Sequence, residues 1–227
     1  MEHARAYFHQ LNRNKRSVAL DLKQPAGRAA FHRLVATAHV VVDNFRVGVT
    51  ERLGADPETL RAVNPRLVTC SLTGFGATGP KRDLPAYDYL VQALSGMMSL
   101  TGDPGGKPTK YGISIVDHTS GLMGAFAVLA ALRQAERTGE GCHVDLALLD
   151  SHVHMLTYLA ADYLNGGLVP ERYADSAHPY NVPSQRFSTA DGDLVIMPMA
   201  DHMWRALCGA MELPELGEDA SLGTAHG

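Results

Sequence analysis

Apolar and polar positions along the chain follow a rhythm that changes segment by segment. Residues 17–22 alternate Val18, Leu20 and Leu22 with smaller or polar neighbours, which predicts a strand. Pro25 then sits where a first helical turn tolerates it, and Phe31, Leu34, Val35 and Ala38 recur at helical spacing. The run His39-Val40-Val41-Val42-Asp43 is short and continuously apolar, the pattern of a strand buried on both faces. Asp56-Pro57 marks another helix start, Leu60 and Val63 form its apolar face, and Asn64-Pro65 ends it before a strand-like run at 66–72. This alternation predicts an α/β layer with a mostly parallel sheet.

Further along, residues 87–98 predict a helix with Leu90, Val91, Leu94 and Met97 on one face, and the glycine- and proline-rich residues 101–108 a surface turn. Residues 112–116 read as an extended apolar lead-in to an uncharged helical run at 122–132. A turn at 138–141, a strand at 142–146 and a second long helix at 148–164 follow. Residues 166–186 are irregular; Asp191-Gly192-Asp193 predicts a hairpin turn, 194–199 a strand, and Trp204, Leu207 and Met211 a helix face. Residues 1–16 predict no complete element, with 12–16 as loop, and residues 212–227 are polar and acidic. The expected organisation is a large α/β domain at 1–165, a linker at 166–186 and the start of a smaller α+β domain at 187–227.

Composition narrows the function classes. With 45% apolar residues in 227, the chain can bury a sizeable core. A net charge of -4 and a pI near 6.2 exclude a chain built as a whole to bind nucleic acid or an anionic membrane. The start is locally basic, however: Arg5, Arg13, Lys15, Arg16, Lys23, Arg28 and Arg33 stand against Glu2 and Asp21, a balance suited to phosphate. Cys70, Cys142 and Cys208 lack any paired spacing, so neither a disulfide framework nor a zinc site is expected and a reducing cytoplasm fits. The longest apolar run, 121–132, is too short to cross a bilayer, and Met1-Glu2-His3 does not open a signal peptide.

Asp117 is the carboxylate with most chemical interest. Just before a long apolar helix it is either an N-cap, the commonest use of Asp there, or a reactive group. Other motifs fall away. Gly74-Phe75-Gly76-Ala77-Thr78-Gly79 is a literal G-x-G-x-x-G, but Pro80 follows at once and no helix can open in the register that pyrophosphate binding needs. His152 and His154, two apart on a predicted helix, point to different faces and have no third ligand, so no metal is expected. No G-x-S-x-G elbow is present for a hydrolase.

Four stretches occur in one order: residues 11–23 (Leu11-Asn12-Arg13-Asn14-Lys15-Arg16 through Lys23), Val41-Val42-Asp43-Asn44-Phe45-Arg46, Leu72-Thr73-Gly74-Phe75-Gly76, and Val116-Asp117 through Arg137-Thr138-Gly139-Glu140-Gly141. Together they resemble the class III CoA-transferases of the formyl-CoA and carnitine/bile-acid type, over about residues 7–211. The resemblance implies an open, Rossmann-like α/β domain and CoA transfer between an acyl-CoA and a small carboxylic acid, with no tightly bound cofactor and the CoA thioester as substrate. It implies Asp117 as the nucleophile, which passes through a mixed anhydride and an aspartyl-CoA thioester. CoA contacts implied by the matching positions are Leu20, Lys23, Asn44, Phe45, Arg46, Arg52, Tyr87 and Asp88. An interlocked homodimer in the cytoplasm is implied as well, with no nucleic-acid or membrane partner.

The related α-methylacyl-CoA racemases share the same span but place a histidine before the Asp of a Gly-His-Asp run. Here that run is Ala86-Tyr87-Asp88, and a tyrosine exchanges an α-proton poorly near neutral pH, which favours transfer over racemisation. Against the family pattern the chain begins after the expected first strand and helix and stops before the expected C-terminus. A truncated CoA-binding remnant is therefore a further expectation to weigh.

Overall fold

The computed structural model describes residues 2–222, with side chains from residue 6 onward. The chain divides into two compact units that interleave in sequence: residues 1–86 with 119–148, and residues 87–118 with 149–227.

In the first unit, helix α1 (Glu2–Leu11) precedes α2 (Pro25–Val35), strand β1 (Val40–Asp43), α3 (Val49–Leu53), α4 (Pro57–Val63) and β2 (Val68–Thr73). Strand β3 (His143–Ala147) completes a parallel sheet of order β1-β2-β3, with Val40 opposite Val68 and Cys70 opposite Val144. Helices before and between the strands supply its cover, as parallel sheets need on both faces. On one face Val35, Leu60 and Leu67 are buried, with Phe31, Ala38 and Val41 packed against them. On the other, Ala131 and Ala135 of the long helix α7 (Ile115–Thr138) bury Val68 beside Val40, Leu132 and Val144. By length and composition α7 could cross a membrane, but this packing makes it a covering layer of the sheet.

Local chemistry explains the boundaries. Asp56 caps α4 by accepting the Thr59 N–H at 2.9 Å, and Pro57 occupies the first turn, as the sequence pattern requires. Asn64 then closes the α2–β1 corner by donating its Nδ2 to the Val35 and Ala38 carbonyls at 3.1 and 2.9 Å.

The second unit contains α5 (Asp88–Leu94), α6 (Met97–Leu100), the first turn of α7, then α8 (Leu148–His154), which starts at the boundary, and α9 (Thr157–Gly166). After a short 3-10 turn (Ala174–Ser176), β4 (Gln185–Ser188) and β5 (Asp193–Ile196) pair antiparallel about the expected hairpin turn, ahead of α10 (Asp201–Ala210) and α11 (Pro214–Glu218). Arg172 fastens the irregular 166–186 stretch by donating to the carbonyls of Ser99, Asp103, Gly106 and Lys107. Arg186 pairs with Asp175 at 3.2 Å.

Several expected elements differ. Residues 17–22 form no strand: they are extended in pattern but have no ladder partner, and Val18 stays exposed. β1 is not buried on both faces, since Val42 is 60% exposed. The helix expected at 87–98 breaks at Gly96, whose φ of 84° is left-handed, and the one expected at 148–164 breaks before Thr157, with φ of 44°. Most consequentially, residues 115 and 116 are helical rather than extended, so α7 starts before Asp117. Helix α1 had no sequence signal.

Candidate active site

Asp117 is the third residue of α7, inside its first turn, and its side chain is exposed. It does not cap the helix. That role belongs to Asp88, whose Oδ2 accepts the Val116 N–H at 2.8 Å and the Asp117 N–H at 3.4 Å. Asp88 stands at the start of α5 and is 6% exposed. Its other oxygen accepts Gln92 Nε2 at 2.5 Å, one helical turn on, and Gln92 Oε1 accepts the Tyr111 N–H at 2.9 Å. A continuous polar chain thus runs from Tyr111 through Gln92 and Asp88 to the mouth of α7.

The electrostatics of Asp117 follow from this arrangement. Loss of water around the carboxyl pushes its titration above the ordinary carboxylate value; the charge of Asp88 adds to the rise and His118 opposes it. The side chain is exposed by surface area yet crowded enough to lose part of its hydration. The helix N-terminus favours the anion, but the net displacement is upward, so crowding and like charge prevail over the dipole.

His152 on α8 lies in the field of Asp88 and is 1% exposed. Neither ring nitrogen has a hydrogen-bond partner among the described residues. Burial lowers its pKa, with Asp88 opposing, so the neutral imidazole is favoured. Tyr87, next to Asp88, is exposed and forms the extended residue before α5.

The remaining expected contacts lie in the first unit; Asn44, Phe45 and Arg46 directly follow the carboxyl end of β1, the end of the strands at which open α/β sheets bind ligands. Asp43, at the end of β1, accepts the Ser71 hydroxyl at 2.6 Å and the Phe45 N–H at 3.1 Å, setting the course of the 44–46 loop. Asn44 Nδ2 donates to the Leu72 carbonyl at 2.5 Å and so ties the loop to β2. Phe45 and Arg46 are left exposed, as is Arg52 on α3. His32 Nε2 contacts the Gly54 carbonyl at 2.8 Å and links α2 to the end of α3. Leu20 and Lys23 precede α2; both are exposed, and Asp21 Oδ1 accepts the Lys23 N–H at 3.0 Å. No ion pair occupies Lys23, Arg46 or Arg52 among the described residues.

The glycine loop at 74–79 is spoken for internally. Its Gly76 and Ala77 N–H groups, which a phosphate would need, go to Thr73 Oγ1 and Asp145 Oδ2. A cleft of about 270 Å3 lies at the opposite strand ends, bordered by Thr37, His39, Asn64, Arg66 and Glu136, and contains none of the expected contacts. No group of three metal-ligating side chains occurs among the described residues. Gln92 escaped the sequence reading, its one signal being the i,i+4 spacing from Asp88 in an otherwise apolar helix, and His152 was read there only as one of two helical histidines without a third metal ligand.

Compared with known proteins, the whole chain, residues 1–227, matches the model of CoA-transferase family III. It is 43% identical to the succinate–glutarate CoA-transferase of Agrobacterium fabrum, covering 96% of this chain and 54% of that protein. It is 41% identical to the acetyl-CoA:oxalate CoA-transferase of Acetobacter aceti, covering 94% and 55%. The fold is similar to the crystal structure of a CAIB/BAIF family protein from Brucella suis, with a TM-score of 0.81 at 39% identity, covering 97% of this chain and 59% of that one. The chain spans about half the length of the curated relatives it matches.

Proposed function

Because the chain belongs to CoA-transferase family III, we propose that it moves CoA from an acyl-CoA to a small carboxylic acid through a covalent intermediate on Asp117. The observation that carries this reading is an exposed, raised-pKa carboxylate in the first turn of a 24-residue helix whose opening N–H groups are already satisfied by a second carboxylate. Asp117 is therefore held without using its own oxygens as a cap.

In the first step an ionised Asp117 oxygen attacks the thioester carbonyl; the C–S bond breaks, leaving a mixed anhydride and CoA thiolate. The thiolate attacks the aspartyl carbonyl and expels the donor acid as carboxylate, which leaves an aspartyl-CoA thioester. The acceptor carboxylate attacks that thioester and displaces the thiolate to form a second anhydride. The thiolate then attacks the acceptor's acyl carbon, releasing the new acyl-CoA and regenerating the Asp117 carboxylate. Each step exchanges one acyl bond for another, so covalent catalysis replaces one difficult reaction by several easier ones.

We assign the CoA contacts to Leu20, Lys23, Phe45, Arg46, Arg52 and Tyr87, with Asn44 shaping the loop that carries Phe45 and Arg46. Lys and Arg are natural phosphate partners. CoA enters as substrate, and no tightly bound cofactor takes part. The named relatives act on short dicarboxylates, and the acceptor proposed here is of that class. A cytoplasmic, interlocked homodimer completes the proposal. Leu122, Phe126 and Leu129 support the dimer: they form one stripe on α7 and are 74, 77 and 65% exposed.

Incubation with succinyl-CoA followed by hydroxylamine and peptide mass spectrometry tests the mechanism. Hydroxamate is expected on Asp117 alone; turnover with Asp117 unmodified overturns it.

A further inference from the structure

We propose that Asp88 is a positioning residue for Asp117: its buried carboxylate grips the N–H groups that open α7 and fixes both the place and the charge environment of the nucleophile. This rests on the reading of Asp117 as nucleophile.

Three donors converge on Asp88, two from the backbone of α7 and one from Gln92. Val116, Gln92 and Asp88 are all buried, and Gln92 is held in turn by the Tyr111 N–H. A buried carboxylate costs free energy unless its oxygens are satisfied. A neutral Ser or Asn serves the capping purpose alone, whereas a full charge here acts also on its neighbour. Asp88 is 29 residues from Asp117 in sequence, and it controls the backbone of that residue directly. The titratable groups around Asp117 are Asp88 on α5 and His118 on α7 itself. His152 on α8 lies within the field of Asp88.

The substitution Asp88→Asn separates these effects. An amide can keep the bond to Val116, but its NH2 then meets Gln92 Nε2, donor against donor. The pair Asp88→Asn/Gln92→Glu restores the pattern: the introduced amide donates to the introduced carboxylate, and that carboxylate still accepts the Tyr111 N–H. The negative charge thereby moves one side chain farther from Asp117. Three readouts apply in each variant of the 227-residue chain: the carbon-13 titration of the Asp117 carboxyl, hydrogen exchange at the Val116 and Asp117 N–H groups, and kcat with KM for succinyl-CoA and a dicarboxylate.

In Asp88→Asn the Asp117 titration is expected at lower pH. Hydrogen exchange at the Val116 and Asp117 N–H groups should quicken, and kcat should fall about 10–100-fold with KM within about threefold, the scale of one charge-assisted bond lost at the site. The double variant should fold, recover slow exchange and still show the lowered titration, and it decides the matter should Asp88→Asn not fold. An unchanged Asp117 titration in a folded variant overturns the proposal. The titration needs no turnover: its shift without any hydroxylamine-trapped adduct in the parent chain counts against the nucleophile, not against the coupling of the two carboxylates.

Discussion

Gly27→Ala adds one methyl where the backbone leaves no room. A Cβ there lies 2.0 Å from the Asp21 carbonyl oxygen and 2.7 Å from its carbon, whereas real contacts start near 3.0 Å. The obstacle is backbone, so the strain falls on the turn at residues 21–24, in which Asp21 accepts the Gln24 N–H at 3.1 Å and the Lys23 N–H at 3.0 Å. Overpacking costs about 1–3 kcal/mol, and here the upper part of that range applies. The better helix propensity and stiffer unfolded chain of Ala return about 0.5–1 kcal/mol. The net is a loss of roughly 1–2 kcal/mol, or about 2–8 °C in Tm for a chain of this size. Because the same turn presents Lys23, CoA affinity should drop about 10–100-fold as one charge-assisted contact is lost, and the preference for CoA over dephospho-CoA should shrink. Differential scanning fluorimetry and calorimetric titration read both effects. Gly209→Ala is the control: it is exposed on α10 with nothing within 4 Å of its Cβ, and the methyl there should raise stability by about 0.5 kcal/mol. A Gly27→Ala chain that melts with the parent and binds CoA equally refutes the packing account and the placement of Lys23 together.

Four other outcomes follow from the site. Asp117→Asn should lower transfer by on the order of 10^4-fold or more yet raise stability at neutral pH. The folded-state pKa of Asp117 lies above its ordinary 3.8, so the native chain holds that proton longer, and the stability it contributes at low pH is lost as pH rises through the folded value; urea titrations across pH 3–8 should show the Asn advantage vanish in acid. His152 has the opposite sign for a base: its depressed pKa gives stability above the ordinary 6.5 that is lost as pH falls through the folded value. His152→Leu should flatten that acid slope and add about 1 kcal/mol by removing unsatisfied ring nitrogens, and an unchanged slope would count against the buried neutral imidazole. Phe126→Glu should convert a dimer to a monomer in sedimentation equilibrium, since burying such a side chain contributes about 1.5–3 kcal/mol per protomer; a monomeric parent rejects the interlocked pair. Finally, incubation of an α-methylacyl-CoA in heavy water without acceptor acid should leave Cα unlabelled, and deuterium uptake there would point to the racemase alternative.

The sheet was legible where a short-range signal coincided with a long-range one. Asp56-Pro57 and Asn64-Pro65 set α4 through capping and proline chemistry that act within a few residues, and the runs read as strands at 39–43 and 66–72 found partners as β1 and β2. Residues 17–22 carry the same alternation but gain no ladder partner, and a strand exists only in pairing. The breaks at Gly96 and Thr157 turn on left-handed backbone, which periodicity does not encode. At the candidate site, Asp117 was visible from motif and position. Its contact with Asp88 was not, because 29 positions separate them and only folding brings a carboxylate under the mouth of α7. His152 was legible as a histidine on a helix but not as a buried one, since its burial depends on the elements packed over it.

The sequence poses a choice between cap and nucleophile for Asp117; the fold gives the capping role to Asp88, and under the proposed mechanism Asp117 keeps its own oxygens for attack. An Asp that caps its own helix commits its oxygens to backbone N–H groups, which disperses the charge an attacking oxygen needs and lowers its basicity. With Asp88 meeting the first N–H groups, the Asp117 oxygens stay exposed. The neighbouring charge then moves its basicity upward rather than downward. The same arrangement has a cost in stability, because two carboxylates crowd one helix start. That cost is tolerated where strain serves reactivity. A site built only for stability would replace either acid by an amide, so the pair at one helix mouth is the arrangement that the role proposed for Asp117 calls for.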